Sequence, residues 1–447
     1  MSTGDYYLLG VVLFIVGLLL SIGLHELGHL IPAKRFGGKV TQYFIGFGPT
    51  VWSRQRGETE VGLKAIPLGG YVKIVGMLPP GPEQERDGDG QLRVRQGNTG
   101  MFTQLISDAR ASEWEAITPE DEPRLFYKLA WWKKVIVMAG GPTVNLLIAF
   151  ALFAGVYGIY GEHDDVVRPG APVIASVSRC VLPYDTTSTT CHASDPIAPA
   201  WQAGLRPGDR VTSFNGVPIT GWNQLRGLIQ RNASGKAVIG YERDGVAHTG
   251  TTDTTVELRP TNNQGTVVRK VGFLGISPAV DTVVHKHGPV WVLGQMATMA
   301  GDALVTLVEL PQKVWGVGEA IVGVKPRSLD SPMSVVGGGR IAGQEFSAPE
   351  PAGARLSNLL YLVASFNLFI GLLNFVPLLP LDGGHIASAL WEAIRRGVAR
   401  RRRRPDPGHV DAAKLLPVAY VVACCLLVMS VVLIVGDLVA PIQVPGG

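Results

Sequence analysis

Residues 25–29 read His-Glu-Leu-Gly-His and combine metal-binding with proton-accepting side chains. In a helix, His25 and His29 are one turn apart on the same face, so their imidazoles can bind one Zn²⁺. Glu26 projects beside them and can act as the base for a hydrolytic water. The spacing therefore predicts a zinc hydrolase site, with His25 and His29 as metal ligands and Glu26 as the catalytic residue.

The position of this motif in the chain favours the metal-binding interpretation. It follows a stretch from Tyr6 to Leu24 that has no charged side chain, close to the roughly 20 residues of a bilayer-spanning helix. In a soluble helix the same motif would be equally compatible with an ordinary polar surface. At membrane depth, however, each ionisable group costs about 2.5–3.5 kcal/mol, so three of them require compensation such as a bound metal.

A second constellation lies at residues 374–384, where a charge-free run ends at Asp382. Two prolines and two glycines in this segment predict a kinked or unwound helix, which would let the carboxylate turn toward the histidines. Two histidines and one carboxylate leave a fourth zinc position open, the pattern of a catalytic site. His385 is an alternative ligand, although a histidine near the membrane surface is the simpler interpretation.

Five motifs together identify a family. The chain resembles the site-2 protease family of intramembrane zinc metalloproteases, in particular the bacterial branch with a PDZ domain and its actinobacterial members. The matching segments are residues 25–29, 46–49 (Gly-Phe-Gly-Pro), 67–71 (Pro-Leu-Gly-Gly-Tyr), 141–145 (Gly-Pro-Thr-Val-Asn) and 374–384.

The resemblance implies a function and additional site residues. It implies Zn²⁺-dependent cleavage of the transmembrane segments of single-span proteins, such as anti-sigma factors already trimmed outside by a first protease. Asn374 and Pro377 would contact exposed substrate backbone, and residues 41–77 would offer an edge strand to the substrate. Two alternatives are a catalytically inactive PDZ-bearing adaptor, which zinc content would distinguish, and a CAAX-type membrane metalloprotease.

The composition is that of a membrane protein. Of 447 residues, 46% are hydrophobic and only 17% charged, and the mean hydropathy is +0.22. We expect a polytopic α-helical membrane protein with four transmembrane helices, a membrane-associated β-hairpin sheet and an extracytoplasmic PDZ-like α+β domain. The expected segments are 1–38 (first transmembrane helix), 39–78 (β region), 79–132 (cytoplasmic linker), 133–160 (second transmembrane helix), 171–280 (PDZ-like domain), 288–325 (amphipathic segment), 356–394 (third transmembrane helix), 395–412 (basic cytoplasmic loop) and 413–437 (fourth transmembrane helix).

Basic residues predict the orientation in the plasma membrane. Lys34 and Arg35 follow the first span, Lys133 and Lys134 open the second, and seven arginines lie within residues 395–404. Positive charge concentrates on the cytoplasmic side, so both termini and the PDZ-like domain would be extracytoplasmic. A nucleic-acid patch is the alternative role for the arginines, but contact with membrane lipid needs no further partner, so we expect no nucleic acid.

The external region raises two open questions. The Gly-Leu-Arg-Pro-Gly-Asp sequence at 204–209 suits the tight turns of a PDZ domain, whose groove would either bind a peptide as an added strand or act as a steric filter. Cys180 and Cys191 would lie where a disulfide can persist.

The 288–325 segment is interrupted by charges and predicts a surface helix, because a fifth span would move the arginines outside.

Overall fold

The structure is a computed structural model. It describes residues 2–80, 84–86, 92–94, 106, 108–110, 114, 117–182, 190–233, 235–260, 268–328 and 330–442. These residues divide into two compact units. The helical unit comprises Met1–Tyr160 and His287–Ile442, and the β-rich unit comprises Gly161–Lys286.

The helices in chain order are α1 (Thr3–Arg35), α2 (Trp131–Gly155), α3 (Pro199–Gln202), α4 (Trp222–Arg231), α5 (Pro289–Ile321), α6 (Val335–Ser347), α7 (Ala352–Asn374), α8 (Asp382–Arg401) and α9 (Leu416–Val439). The strands are β1 (Val40–Arg56), β2 (Thr59–Ile74), β3 (Gln84–Arg86), β4 (Leu92–Val94), β5 (Glu162–Val167), β6 (Ile174–Val177), β7 (Arg210–Phe214), β8 (Val217–Pro218), β9 (Lys236–Arg243), β10 (Val246–Asp253), β11 (Thr255–Pro260), β12 (Val268–Phe273), β13 (Ile276–Pro278) and β14 (Val280–His285). Short 3₁₀ helices cover Pro119–Arg124, Phe126–Lys128 and Ala412–Leu415, and a π-helical turn, Val156–Tyr160, continues α2.

Among the described residues, five helices are long and apolar enough to cross a membrane, which makes the chain a multi-pass membrane protein by length and composition. They are Thr3–Arg35, Trp131–Tyr160, Pro289–Ile321, Ala352–Asn374 and Ala412–Val439. This is one more than the four expected spans. The additional helix, α5, is the least apolar of the five and is the segment expected to lie on the membrane surface.

Helix α1 begins at a reciprocal cap and ends with basic residues. The Ser2 hydroxyl accepts a hydrogen bond from the Asp5 backbone N–H at 3.2 Å, and the Asp5 carboxylate accepts one from the Ser2 N–H at 2.7 Å. Such a capping box satisfies backbone donors that the helix leaves unpaired. Lys34 and Arg35 occupy the last turn, where positive charge complements the helix dipole.

Helices α1 and α2 touch at their backbones beside the His-Glu-His motif. A Cβ atom added at Gly140 would lie only 2.0 Å from the carbonyl oxygen of Gly28. No other residue type permits this approach, because any side chain would separate the helices. The contact brings the middle of α2 close to the last turns of α1.

The 39–78 region forms one antiparallel hairpin of β1 and β2, with Val40 opposite Ile74 and an irregular register. The Tyr43 hydroxyl donates a hydrogen bond to the Gly23 carbonyl of α1 at 2.8 Å. This bond holds the hairpin less than one turn from the His-Glu-His motif.

A short segment before α2 is tied to the same hairpin by ion pairs. Arg124 donates two parallel hydrogen bonds to Glu58, each of 2.7 Å, and this guanidinium lowers the pKa of the Glu58 carboxyl. Lys39 binds Asp121 at 2.7 Å. Much of residues 81–116 of the expected linker, 79–132, lies outside the described residues, but the last part of the linker is anchored by these pairs.

The predicted third transmembrane segment is two helices. Helix α7 ends at Asn374 and α8 begins at Asp382, so the expected kink is a complete break over residues 375–381. Prolines at 377 and 380 account for the break because they lack the N–H that a helix needs. Helix α8 continues to Arg401, which corrects the expectation that the element ends at 394 and that residues 395–412 are a loop.

The β-rich unit has its own hydrophobic core. A four-stranded antiparallel sheet in the order β10-β9-β7-β8 is joined by three two-stranded pairs, β11-β12, β13-β6 and β14-β5. Helix α4 contributes Leu225 and Ile229 to a core that also contains Leu205, Val211, Phe214 and Ile239. Cys180 and Cys191 form a disulfide, which answers one of the questions that the sequence leaves open.

Candidate metal centre

The last turns of α1 place His25 and His29 side by side, as the helical spacing predicts. Their Nε2 atoms are 3.2 Å apart, and the two rings meet edge to face with centroids 4.9 Å apart. His29 is buried and His25 is partly buried. Two imidazole nitrogens therefore converge on one point inside an apolar helix bundle.

Asp382 completes a triangle with the two histidines. As the first residue of α8, it follows directly on the break after α7, and its Oδ2 lies 3.4 Å from the Nε2 atoms of both His25 and His29. Ligands bound at about 2.0–2.1 Å in a tetrahedral zinc site are separated by about 3.3–3.4 Å. The three atoms thus have the spacing of one face of a zinc tetrahedron, and they form the one metal-type cluster among the described residues.

The surroundings orient these ligands. The Nδ1 atom of His29 lies 2.8 Å from the Val137 carbonyl oxygen, so this nitrogen carries the proton and Nε2 presents its lone pair to the centre of the triangle. The Nδ1 atom of His25 is buried and finds no hydrogen-bond partner among the described residues. One ligand is therefore held by a backbone acceptor, and the other is held by packing alone.

Gly141 is a site residue that the sequence analysis did not identify as one. A Cβ atom at this position of α2 would lie 2.3 Å from the Nε2 of His29 and 2.7 Å from that of His25. The glycine thus leaves the space in which a metal ion and its ligands can sit. The available signal was a Gly-Gly pair inside an otherwise apolar helix, because glycine there weakens a helix unless close packing requires it.

Glu26 is partly buried and lies against the hairpin rather than among the ligand atoms. A Cβ atom at Gly70 of β2 would be 3.0 Å from the Glu26 Cγ. The Glu26 side chain is thus in contact with the hairpin and is not one of the three clustered ligand residues. This placement suits a base that acts on a water or substrate beside the metal, not a ligand.

The remaining candidate residues, Asn374, Pro377 and His385, are not part of the ligand triangle. Asn374 ends α7 and is partly exposed, while Pro377 is exposed in the break that leads to Asp382. His385 lines a separate pocket with Lys134 and Glu392. The structure therefore groups His25, His29 and Asp382, and it does not bring His385 into that group.

Comparison with known proteins decides the family. A model of peptidase family M50 matches residues 13–405. The chain belongs to peptidase family M50. This M50 peptidase is 31% identical over 444 residues to the zinc metalloprotease Rip1 of Mycolicibacterium smegmatis, with 98% of each chain covered. It is 32% identical over 448 residues to zinc metalloprotease Rip1 of Mycobacterium tuberculosis, with 98% of this chain and 99% of that one covered.

The family and these relatives confirm the predicted chemistry. The chain is a zinc metalloprotease of the site-2 type that works within the membrane, and its metal is Zn²⁺. Because these alignments cover nearly the whole chain, the similarity extends over both the helical unit and the β-rich unit.

Proposed function

We propose that this M50 peptidase binds Zn²⁺ through His25, His29 and Asp382 and cleaves transmembrane segments of single-span proteins. The observation that carries the assignment is the triangle of ligand atoms, with edges of 3.2 Å and 3.4 Å, inside a bundle of apolar helices. When bound there, Zn²⁺ supplies a Lewis acid that polarises the scissile carbonyl and acidifies water.

The protein groups around the centre have separate tasks. Glu26 takes a proton from the hydrolytic water and returns it to the leaving amine. His29 keeps its lone pair available because Nδ1–H donates to Val137. Gly141 excludes any side chain that would fill the reaction space.

A transmembrane helix must unwind before it can be cut, because its carbonyls are hydrogen-bonded and its backbone is shielded. The β1-β2 hairpin is placed to offer backbone groups to such an unwound segment, since Tyr43 bonds it to Gly23 and Gly70 lies against Glu26. Asn374 and Pro377, on the break before Asp382, are the proposed contacts to substrate backbone. Anti-sigma factors trimmed by a first protease are the proposed substrate class.

The contacts among the helices support four membrane crossings, with α5 lying on the outer face of the membrane. Helix α5 starts at the end of α2, where the His287 N–H donates to the Tyr157 carbonyl at 3.0 Å, and its last turn packs on α9 near Gly436. Helices α2 and α9 start on one side, because Lys134 of α2 and His409 before α9 both bind Glu392. Both ends of α5 are thus associated with the far ends of α2 and α9.

We place that far side, the β-rich unit and both termini outside the cytoplasm. The positive residues near the starts of α2 and α9 support this orientation, as does the disulfide in the β-rich unit. We also propose that the β-rich unit is a PDZ-like domain spanning 171–280. Membership of peptidase family M50 argues against the CAAX-type alternative, and the intact set of histidines and carboxylates argues against an inactive adaptor.

Two experiments test these proposals. Glu26→Gln enzyme, expressed in cells, should retain uncut single-span membrane proteins that mass spectrometry identifies, and capture of soluble proteins alone would contradict the substrate class. On intact cells, an impermeant thiol reagent should label a cysteine introduced at Asn232, on the proposed outer side, but not one introduced at Gly88, on the proposed cytoplasmic side. Labelling at both positions would overturn the orientation.

A further inference from the structure

Helix α8 has two opposite faces of different character. One face packs into the helical unit through Ala389, Glu392 and Ala399, which are at most 9% exposed. The opposite face carries Leu390, Trp391, Ile394 and Val398, all between 42% and 55% exposed. At 100° per residue these four positions fall within an arc of about 100°, so they form one apolar stripe.

The depth of this stripe follows from an ion pair. Lys134 in the first turn of α2 binds Glu392 at 2.8 Å, and both side chains are buried. The same turn of α2 exposes Trp131 and Trp132, and tryptophans at the end of a spanning helix mark the boundary between membrane and water. The stripe on α8 is therefore at the level of that boundary.

Positive charge follows the stripe directly. Arg400 to Arg404 are five consecutive exposed arginines, and no ion pair of theirs is found within the described part of the chain. The two arginines one turn earlier differ, because Arg395 donates a hydrogen bond to the Pro407 carbonyl and Arg396 pairs with Glu392 and Asp406. The five are thus available to an anionic partner.

We propose that α8 lies in the headgroup layer of the membrane, with its apolar stripe on the acyl boundary and Arg400–Arg404 bound to the phosphates of acidic phospholipids. Exposed apolar residues beside a basic cluster are the signature of a helix that rests on an anionic membrane. A polynucleotide would bind the arginines but leave the stripe in water. This surface is separate from the zinc site and does not depend on the peptide that is cleaved.

The test uses the full chain in mixed micelles of phosphatidylcholine and phosphatidylglycerol, with the ratio of co-purified lipids as the readout. Wild type should enrich phosphatidylglycerol, and a variant with Arg400–Arg404 all changed to Gln should lose that enrichment about tenfold or more, because each arginine near an anionic surface contributes about fivefold. The charge-matched control changes Arg206, Arg210, Arg231, Arg269 and Lys270 to Gln and should behave as wild type.

A second readout probes the surroundings of the apolar stripe in protein that keeps Arg400–Arg404. With Cys424 and Cys425 replaced by Ser, an environment-sensitive dye on Ile394→Cys should emit as in a membrane, and more so in vesicles containing phosphatidylglycerol than in pure phosphatidylcholine. Raising the salt concentration should reduce the lipid enrichment of wild type. Equal enrichment in the five-Gln variant, water-like emission at position 394, or displacement of the lipid by polyuridylic acid would each overturn the proposal.

Discussion

Two buried polar clusters in the helical unit have opposite chemistry. In the zinc cluster, His25, His29 and Asp382 point their lone pairs at one another at 3.2–3.4 Å. In the cluster around Glu392, one carboxylate receives hydrogen bonds from Lys134 at 2.8 Å, His409 at 3.2 Å and the Val410 N–H at 3.3 Å. The first cluster brings together potential metal ligands, whereas the second contains its own cationic side chain, Lys134.

The difference separates function from stability. Acceptors gathered without donors are costly in an apolar bundle unless a metal joins them, so such a set indicates a binding site. A buried carboxylate that is already paired with a lysine and further donors needs no bound metal to compensate its charge. It instead joins α2, α8 and the segment before α9, and so holds the helix that carries Asp382.

The largest expected effect is on catalysis. Glu26→Gln should lower cleavage of a single-span substrate by at least about 10²–10⁴-fold while zinc stays bound, because the proposed role of Glu26 is that of a base and not of a ligand. His25→Ala and Asp382→Ala should lose both activity and zinc. Activity assays and metal analysis of the purified variants give the comparison, with Glu120→Gln, an exposed carboxyl, as the control. Full zinc content in Asp382→Ala would remove that residue from the ligand set.

Filling the space beside the ligand atoms of His25, His29 and Asp382 should reduce activity almost as much as these substitutions do. Gly141→Ala would put a methyl group within 2.3 Å of the His29 Nε2, and displacement of ligands by about 1 Å can cost about 100-fold in activity. We expect a loss of this order together with reduced zinc content. The matched variant is Gly155→Ala in the same helix, where an added Cβ meets nothing within 4 Å. Equal zinc content in the two variants would contradict the role of Gly141.

Substitutions in the cluster around Glu392 should change the stability of the fold. Lys134→Met removes the shortest ion pair of the buried Glu392. Breaking a buried pair typically costs about 3–5 kcal/mol, so the unfolding temperature should fall clearly. Lys134→Met combined with Glu392→Leu should recover part of the loss, because the buried carboxylate is then also removed and Arg396 keeps its pair with Asp406. Lys128→Met, which breaks a half-exposed pair with Glu122, should change little. Equal effects of Lys128→Met and Lys134→Met would show that burial does not distinguish the two pairs.

The smallest effect concerns pH and a buried ion pair in the β-rich unit. Burial raises the pKa of Asp209, but hydrogen bonds from Arg243 and the Arg206 N–H outweigh it, so the pKa of this carboxyl is lowered. A lowered pKa adds stability above the unfolded value of about 3.9, and this stability is lost as the pH falls through the folded value. Asp209→Asn should therefore unfold several degrees lower at pH 7, with the difference shrinking below about pH 4.

Thermal scans of the full chain at the two pH values measure this difference. Asp244→Asn provides the control, because Asp244 is exposed in a turn with φ of 52°, a conformation that asparagine tolerates. A pH-independent loss in Asp209→Asn would show that packing, and not ionisation, is the source of its effect.

Some features of this protein follow from the sequence alone. Charge-free runs predict spanning helices because unpaired charges are expensive in lipid, and the four-residue histidine spacing predicts one shared face because a helix turns every 3.6 residues. The Pro and Gly content of 374–384 predicts a break before Asp382, and the structure has it at 375–381. These are local rules, so they need no knowledge of distant contacts.

Only the tertiary structure decided the rest. Three features depend on which helix faces which. Gly141 makes room for the proposed ligands, Lys134 pairs with Glu392 258 residues away, and α8 extends to Arg401 with an exposed apolar stripe. The proposal of four spans likewise rests on where the ends of α5 pack, because the composition of α5 does not distinguish a spanning helix from a surface helix. Pairings between distant segments are set by shape and by the mutual satisfaction of buried charges, and no single stretch of sequence encodes them.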